Sequence, residues 1–476
     1  MSARPPLAVN WTKVATTWLP FADAASADLP LARLLRLALF QVSVGMATVL
    51  LTGTLNRVMI VELSIPAGLV ATIIAISLLV APLRALIGHK SDTHRSLLGW
   101  RRVPYIWLGT LMQFGGLAIM PFALLLLSAP GNATLGIAVS AVAFLLTGAG
   151  LHTTQTAGLA LATDLAPPDK RPRAVALLYV MLLAGTMLAA LAIGSLLVDF
   201  TPTRLVQVIQ GAALLTLVLN LIALWKQEPR GSSLAPSAPA GLSFAVLWRA
   251  FIAEERTARL LAAIGIGAAA FAMQDALLEP YGGEILGLSV GRTTMLTGAW
   301  AAGALAGFCV AGRSLSRGGD PLRLAGTGLV AGIAAFLMVI FAAPFQSGLL
   351  LFAGASSIGL GLGLFSVGTL TETMARAQGE GAGLALGAWG AVQASCAGVA
   401  IAVGGTLRDI ISQAASAGGL SGALNNPAAG YGSVYIIEII LLLAALVALG
   451  PLVARRRDTP AVQPIAQRFG LCEFPT

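Results

Sequence analysis

The sequence predicts an all-α membrane fold of twelve spanning helices arranged as two six-helix bundles, and three observations predict it. Hydrophobic residues make up 57% of the 476 positions and charged residues only 10%, with a mean hydropathy of +0.86. Apolar runs long enough to cross a bilayer recur along the whole chain. The basic residues fall in short clusters between those runs.

The first observation excludes a soluble globular protein, which would need far more polar surface. A hydrocarbon core of ~30 Å needs about 20 apolar residues in helix. Runs of that length are expected at 36–61, 65–87, 103–127, 135–163, 174–198, 204–225, 258–280, 291–312, 322–343, 348–374, 382–405 and 433–453. The first run is too long and too far from residue 1 for a cleaved signal sequence, so the chain reads as mature.

Net charge is +9, from 29 Lys and Arg against 20 Asp and Glu. Its distribution argues against nucleic acid, because the clusters Lys90/Arg95/Arg101/Arg102, Lys170/Arg171/Arg173 and Arg455/Arg456/Arg457 sit between spans. An even number of spans puts both termini on one side. Placing them in the cytoplasm leaves Arg57, Arg204, Arg292 and Arg408 at or beyond the outer ends and the other basic residues inside. Cys309, Cys396 and Cys472 have no metal-ligand spacing and read as packing residues or free thiols, so no directly bound metal is expected.

The expected organisation is a cytoplasmic N-terminal segment over 1–35, bundles over 36–225 and 258–453, a linker over 226–257 and a tail over 454–476. Trp11, Val14 and Trp18 share a helical face ahead of the first span, which fits a helix lying on the membrane or a partner-docking site. The linker centre, Gly231-Ser-Ser-Leu-Ala-Pro-Ser-Ala-Pro-Ala240, is flexible by composition. It divides the spans six and six, the layout of the major facilitator superfamily. Three echoes fit a duplication: Gly148–Gln155 with Gly361–Gly368, Gly88–Asp92 with Arg317–Asp320, and Glu62–Ser64 with Glu284–Ser289. Gly88, Asp92 and Arg95, followed by Arg101 and Arg102, resemble that superfamily's signature between spans two and three, where Asp accepts from helix-end amides or pairs with Arg.

Polar residues at membrane depth are costly and mark candidate sites. Asn56, Arg57 and Glu62 close the first span. Arg57 and Glu62 are five apart and are expected on different faces, so Arg57 snorkels to the interface or pairs across to Glu279 or Glu284. In span four, His152 and Gln155 are embedded; His152 is a metal-ligating candidate or a hydrogen-bonded helix contact. In span seven, Gln274 precedes Asp275, and Asp275 and Glu279 at i, i+4 share a face suited to a proton relay. Pro280, Gly282 and Gly283 are expected to break that helix ahead of Glu284. Glu372 lies near the inner end of span ten. No nucleotide-binding loop, serine-hydrolase elbow, H-E-x-x-H site or Asp-rich diphosphate motif appears, so no enzyme is expected.

Four strings carry a resemblance. Thr52-Gly-Thr-Leu-Asn-Arg-Val-Met-Ile-Val-Glu62, His94-Arg-Ser-Leu-Leu-Gly-Trp-Arg-Arg-Val-Pro-Tyr-Ile-Trp107, Ala162-Thr-Asp-Leu-Ala-Pro167 with Arg171-Pro-Arg-Ala-Val175, and Asp275-Ala-Leu-Leu-Glu-Pro-Tyr-Gly-Gly-Glu284 resemble the bacteriochlorophyll-delivery (PucC/LhaA) branch of the major facilitator superfamily. The resemblance covers essentially all twelve spans and leans towards the LhaA type. It implies light-harvesting complex assembly in the bacterial inner, intracytoplasmic membrane, with bacteriochlorophyll as cargo. Antenna α and β polypeptides are the implied partners, with bacteriochlorophyll-synthesis enzymes as further candidates. A cleft between the bundles, lined by Gly, Ala and aromatic side chains, would hold the ring, and His152, Gln155 or Gln274 would supply a ligand. A proton-coupled transporter of an amphipathic small molecule is the alternative that Asp275 and Glu279 favour.

Overall fold

The structure is a computed structural model that describes residues 24–26, 29–78, 100–129, 131–167, 170–228, 256–376, 382–417, 426 and 428–454. Twelve helices account for nearly all of these. The N-terminal half comprises α1 (Leu31–Glu62), α2 (Ala67–Leu78), α3 (Val103–Ser128), α4 (Ala133–Leu165), α5 (Arg171–Leu196) and α6 (Pro202–Leu224). The C-terminal half comprises α7 (Thr257–Glu284), α8 (Val290–Ser316), α9 (Pro321–Ala342), α10 (Gly348–Arg376), α11 (Ala382–Ser416) and α12 (Ala429–Ala454). Eleven of them are long and apolar enough to span a membrane; α2 is the shorter one among the described residues. The remainder of the expected second span lies outside the described residues. So do Gly88, Asp92 and Arg95 of the loop motif, the surface helix around Trp11, most of the linker and the tail.

The helix boundaries follow local chemistry. Thr201, Ser289 and Asp320 cap α6, α8 and α9, each accepting from the amide three residues on, and Asp320 also from Leu322. Such side chains satisfy amides that a helix start leaves open. Gly318, at φ +79°, makes the turn that delivers Asp320 to this position. At the start of α3 the acceptor comes from far along the chain: the Glu228 carboxylate, beyond α6, takes the amides of Arg101, Arg102 and Val103 at 2.7–3.3 Å. Arg102 is itself buried and pairs with Asp164 at the end of α4, Nε to Oδ2 2.9 Å. Thus Arg101 and Arg102 of the expected loop motif belong to a network that ties α3, α4 and the end of α6 together.

The halves meet along two seams, α5 against α8 and α2 against α11. A two-fold rotation that carries α2 onto α8 and α5 onto α11 exchanges these seams, as two parallel six-helix repeats require. Backbone approach in the α5–α8 seam is close. A Cβ placed on Gly291 would collide with the carbonyl oxygen of Gly194 and come within 2.8 Å of the Val198 nitrogen. Small residues at such crossings replace hydrophobic association, which lipid does not supply. Large apolar side chains elsewhere, such as Phe122, Leu214 and Val447, are exposed on the outer surface of the bundle, as lipid contact demands.

Candidate functional site

Two helices depart from regular geometry where the halves come together. Helix α1 contains two π-helical stretches, Val49–Thr54 and Val58–Glu62. In the second, the Leu63 amide bonds to the Val58 carbonyl at 3.0 Å, five residues back. A wider turn places residues i and i+5 on one face. This corrects the expectation for Arg57 and Glu62: they are ion-paired with each other, and Arg57 is almost fully buried. Arg57 Nη2 also donates to the Leu288 carbonyl in the opposite half, 3.2 Å away. It forms no ion pair with Glu279 or Glu284. Glu284 is engaged instead by Arg408 and by the Tyr431 hydroxyl, and Arg408 lies over the Tyr431 ring at 4.5 Å.

Helix α7 breaks one turn before the expected place. A 3-10 turn, Met273–Ala276, and the non-helical Leu277 (φ −120°, ψ −25°) interrupt it, and a new helix runs Leu278–Glu284. Pro280 therefore sits in the first turn of a helix, where its missing amide costs no bond, and Gly282 and Gly283 are helical. The break removes the i, i+4 relation expected between Asp275 and Glu279. Glu279 is buried and accepts from Thr297 on α8 at 2.6 Å, beside Gly53 of α1. Asp275 accepts from the neighbouring Gln274 side chain and lines a cavity. Asn56 of α1 donates to the Asp275 carbonyl at 3.4 Å.

That cavity, of ≈ 440 Å³, lies between the halves. Its wall is largely apolar, with the rings of Tyr179, Phe271, Trp300, Phe308 and Trp389, and its polar groups are Gln155, Asp275, Ser366 and Gln393. Small-molecule sites have this size and make-up. Gln393 donates to Ser366 at 3.4 Å, and Gln155 to the buried Gln41 at 3.5 Å. Both echoed strings reach the cavity, from α4 at Gln155 and from α10 at Ser366 and Val367. Of the three candidate ligands, Gln155 lines it directly and Gln274 touches it through Asp275. His152, buried one turn before Gln155 in α4, is not among the described lining residues.

Beyond the cavity the halves are joined by Thr54 with Thr294 (3.1 Å), by the Asn56 and Arg57 bonds, and by Asp409. Asp409 Oδ2, from α11, accepts from the Gly68 amide at 2.7 Å, so one half caps a helix of the other. The cavity is therefore sealed at the end carrying Glu62, Glu284 and Arg408. Its other walls reach Val175 and Ala176, next to the Lys170/Arg171/Arg173 cluster.

Sequence reasoning missed several participants. Glu438 is fully buried in α12, beside Gln274 and Asp275. A lone acid within an otherwise apolar span was the available signal. For Arg408 the sequence gives only a position at an outer end; α11 continues eleven residues past the expected 405, and Arg408 pairs there with Glu284 and Asp409. Trp300 and Trp389 line the cavity, a role distinct from interfacial anchoring.

Comparison with known proteins adds the family. The model of the PUCC protein family matches residues 54–457. A Rhodobacter capsulatus protein described as an uncharacterized protein in the puhA-bchM intergenic region is 54% identical over 468 residues, covering 97% of this chain and 98% of that one. Protein PucC of Rhodovulum sulfidophilum is 54% identical over 416 residues, covering 85% and 91%. These identities do not distinguish the LhaA type expected from the sequence from a PucC. Among solved structures, a bacterial homolog of the lysosomal transporter Spinster, in an inward-facing, occupied conformation, superposes with a TM-score of 0.66 at 16% identity. That match covers 90% of this chain and 98% of the other, and it establishes the major facilitator fold. The family model that matches names no enzyme family.

Proposed function

We propose, from the premise that this chain belongs to the PucC protein family, that it is an assembly factor for bacterial light-harvesting antenna complexes. It holds bacteriochlorophyll between its halves and passes it to antenna α and β polypeptides in the inner membrane. One observation carries the pigment part: a ≈ 440 Å³ cavity walled by aromatic and aliphatic side chains, with a few polar groups, inside a membrane fold. A flat apolar ring is insoluble in water, and such a wall shields it while the polar groups set its orientation. The cavity's position fits an opening on the cytoplasmic side, given the basic cluster at the start of α5 and both termini inside.

The test is purification in mild detergent from a phototrophic host, with an absorption spectrum and identification of co-purified polypeptides. Pigment together with antenna polypeptides is the expected result. Absence of both under gentle conditions refutes the reading.

A second reading, a proton-coupled transporter of an amphipathic small molecule, is favoured by Asp275 and Glu438 at the α7 break. Proteoliposomes with an imposed pH gradient decide it. Gradient-driven uptake that is lost in Asp275→Asn would support transport over escort.

A further inference from the structure

Every other carboxylate at the sealed end of the cavity has a fixed donor or a cation. Glu62 is paired with Arg57, Glu284 and Asp409 with Arg408, and Glu279 accepts from Thr297. Asp275 differs. Its Oδ1 accepts from Gln274, and no lysine or arginine pairs with the carboxylate among the described residues. Its surroundings are aromatic and aliphatic, and a second acid, the fully buried Glu438, lies nearby. A carboxylate in such a place is expensive unless a positive centre meets it. Among the described residues no cation is paired with it, and a metal centre in the cargo would meet it. The main chain there is held from both halves, because Asn56 donates to the Asp275 carbonyl. One carboxylate oxygen is thus fixed by Gln274, and the residue lines the cavity.

We infer that Asp275 is the axial ligand of the cargo's metal, and that Gln274 is the positioning residue that aims it. This rests on the pigment-escort reading above and names the group that recognises the pigment. Magnesium is a hard cation that takes oxygen ligands and accepts donors beyond the four nitrogens of a chlorin plane. The rings of Phe271, Trp300 and Trp389 supply flat walls for the macrocycle. Among the described lining residues only Asp275 is an acid; Gln155 is neutral, and Ser366 and Gln393 are bonded to each other. The consequence is selectivity: the cavity prefers a ring with magnesium to the same ring without it.

The experiment titrates the purified full-length protein in mild detergent with bacteriochlorophyll a and with its magnesium-free counterpart, bacteriopheophytin a. Quenching of tryptophan emission reports binding. The wild type is expected to favour the magnesium pigment by about tenfold or more, equivalent to about 1.4 kcal/mol. Asp275→Ala is expected to bind both pigments with the affinity the wild type shows for the metal-free one, which also demonstrates that the variant is folded. Asp275→His, which restores a ligand, is expected to recover the preference with a shifted visible band. Equal wild-type affinity for the two pigments overturns the inference and leaves pigment escort standing. Preference that persists undiminished in Asp275→Ala also overturns it, by assigning the metal to another group. Binding of neither pigment overturns both readings together.

Discussion

Removing the Asp409 carboxylate should loosen the junction that joins the halves beyond the cavity, and the structure sets the size of the effect. Asp409 Oδ2 is 2.7 Å from the amide of Gly68, the second residue of α2, and the side chain is only 13% exposed. An N-terminal amide of one half is thereby capped by an acid of the other. Hydrogen bonds to charged groups contribute about 1.5–3 kcal/mol, and loss of a helix cap about 1 kcal/mol. Taking about 1.5 kcal/mol, the lower end of the first range, Asp409→Ala shifts the balance towards separated halves by roughly tenfold. The reporter is a cysteine at Thr294, which is fully buried against Thr54 on the opposite half, with Cys309, Cys396 and Cys472 first changed to serine. Maleimide labelling of that cysteine in intact membranes reads the fraction of time the junction is open. A roughly tenfold faster rate in the Asp409→Ala background is expected. An unchanged rate would show that this bond does not hold the junction shut, and the sealed end of the cavity would need another explanation.

Four further outcomes follow from the contacts. Arg102→Ala leaves Asp164 without its partner and the reverse charge swap restores it; a loss of roughly 1–3 kcal/mol is expected, discounted because Asp164 is 28% exposed, and a thermal melt in detergent measures it. Glu228→Gln weakens the acceptor for three amides at the start of α3, lowering stability by about 1 kcal/mol in the same assay. Gly291→Ala forces the α5 and α8 backbones apart, costs about 1–3 kcal/mol, and reduces yield of monodisperse protein on size exclusion. Gln155→Leu should lower pigment retention more than His152→Phe, because Gln155 lines the cavity; equal losses in the two absorption spectra would refute that placement. Deleting the protein in its host and recording a whole-cell spectrum identifies which antenna, core or peripheral, is served, by the band that disappears.

The helical architecture was legible because lipid imposes a simple rule: each span must be long, apolar and internally bonded. The expected α3 at 103–127 and α9 at 322–343 match Val103–Ser128 and Pro321–Ala342 to within a residue. The site was legible only as an inventory. Asn56, Arg57, Glu62, Asp275, Glu279 and Glu284 all lie at or near the junction of the halves, but their pairing depends on backbone detail that spacing does not reveal. A separation of five positions between Arg57 and Glu62 argues against contact on an α-helix and for it on a π turn, and nothing in Val58-Met59-Ile60-Val61 announces the wider turn. Pro280 drew the predicted break to itself, although a proline in a first turn is compatible with a helix. The actual break, at Met273–Leu277, contains no breaker residue and is held by tertiary contacts from Asn56. The bonding of Arg408 and Asp409 was not legible because their partners, Glu284, Tyr431 and Gly68, are remote in sequence.

The wide turns in α1 have an evolutionary corollary. Each accommodates one residue more than a regular helix of the same rise, so the helix carries length it could shed locally without leaving the bilayer. Shedding it would rotate everything beyond by about 100°, swinging Asn56 away from the Asp275 carbonyl and Arg57 away from that of Leu288. Alleles with a single codon removed between Val49 and Thr54 should therefore be lost from populations far more readily than those with substitutions at the same positions.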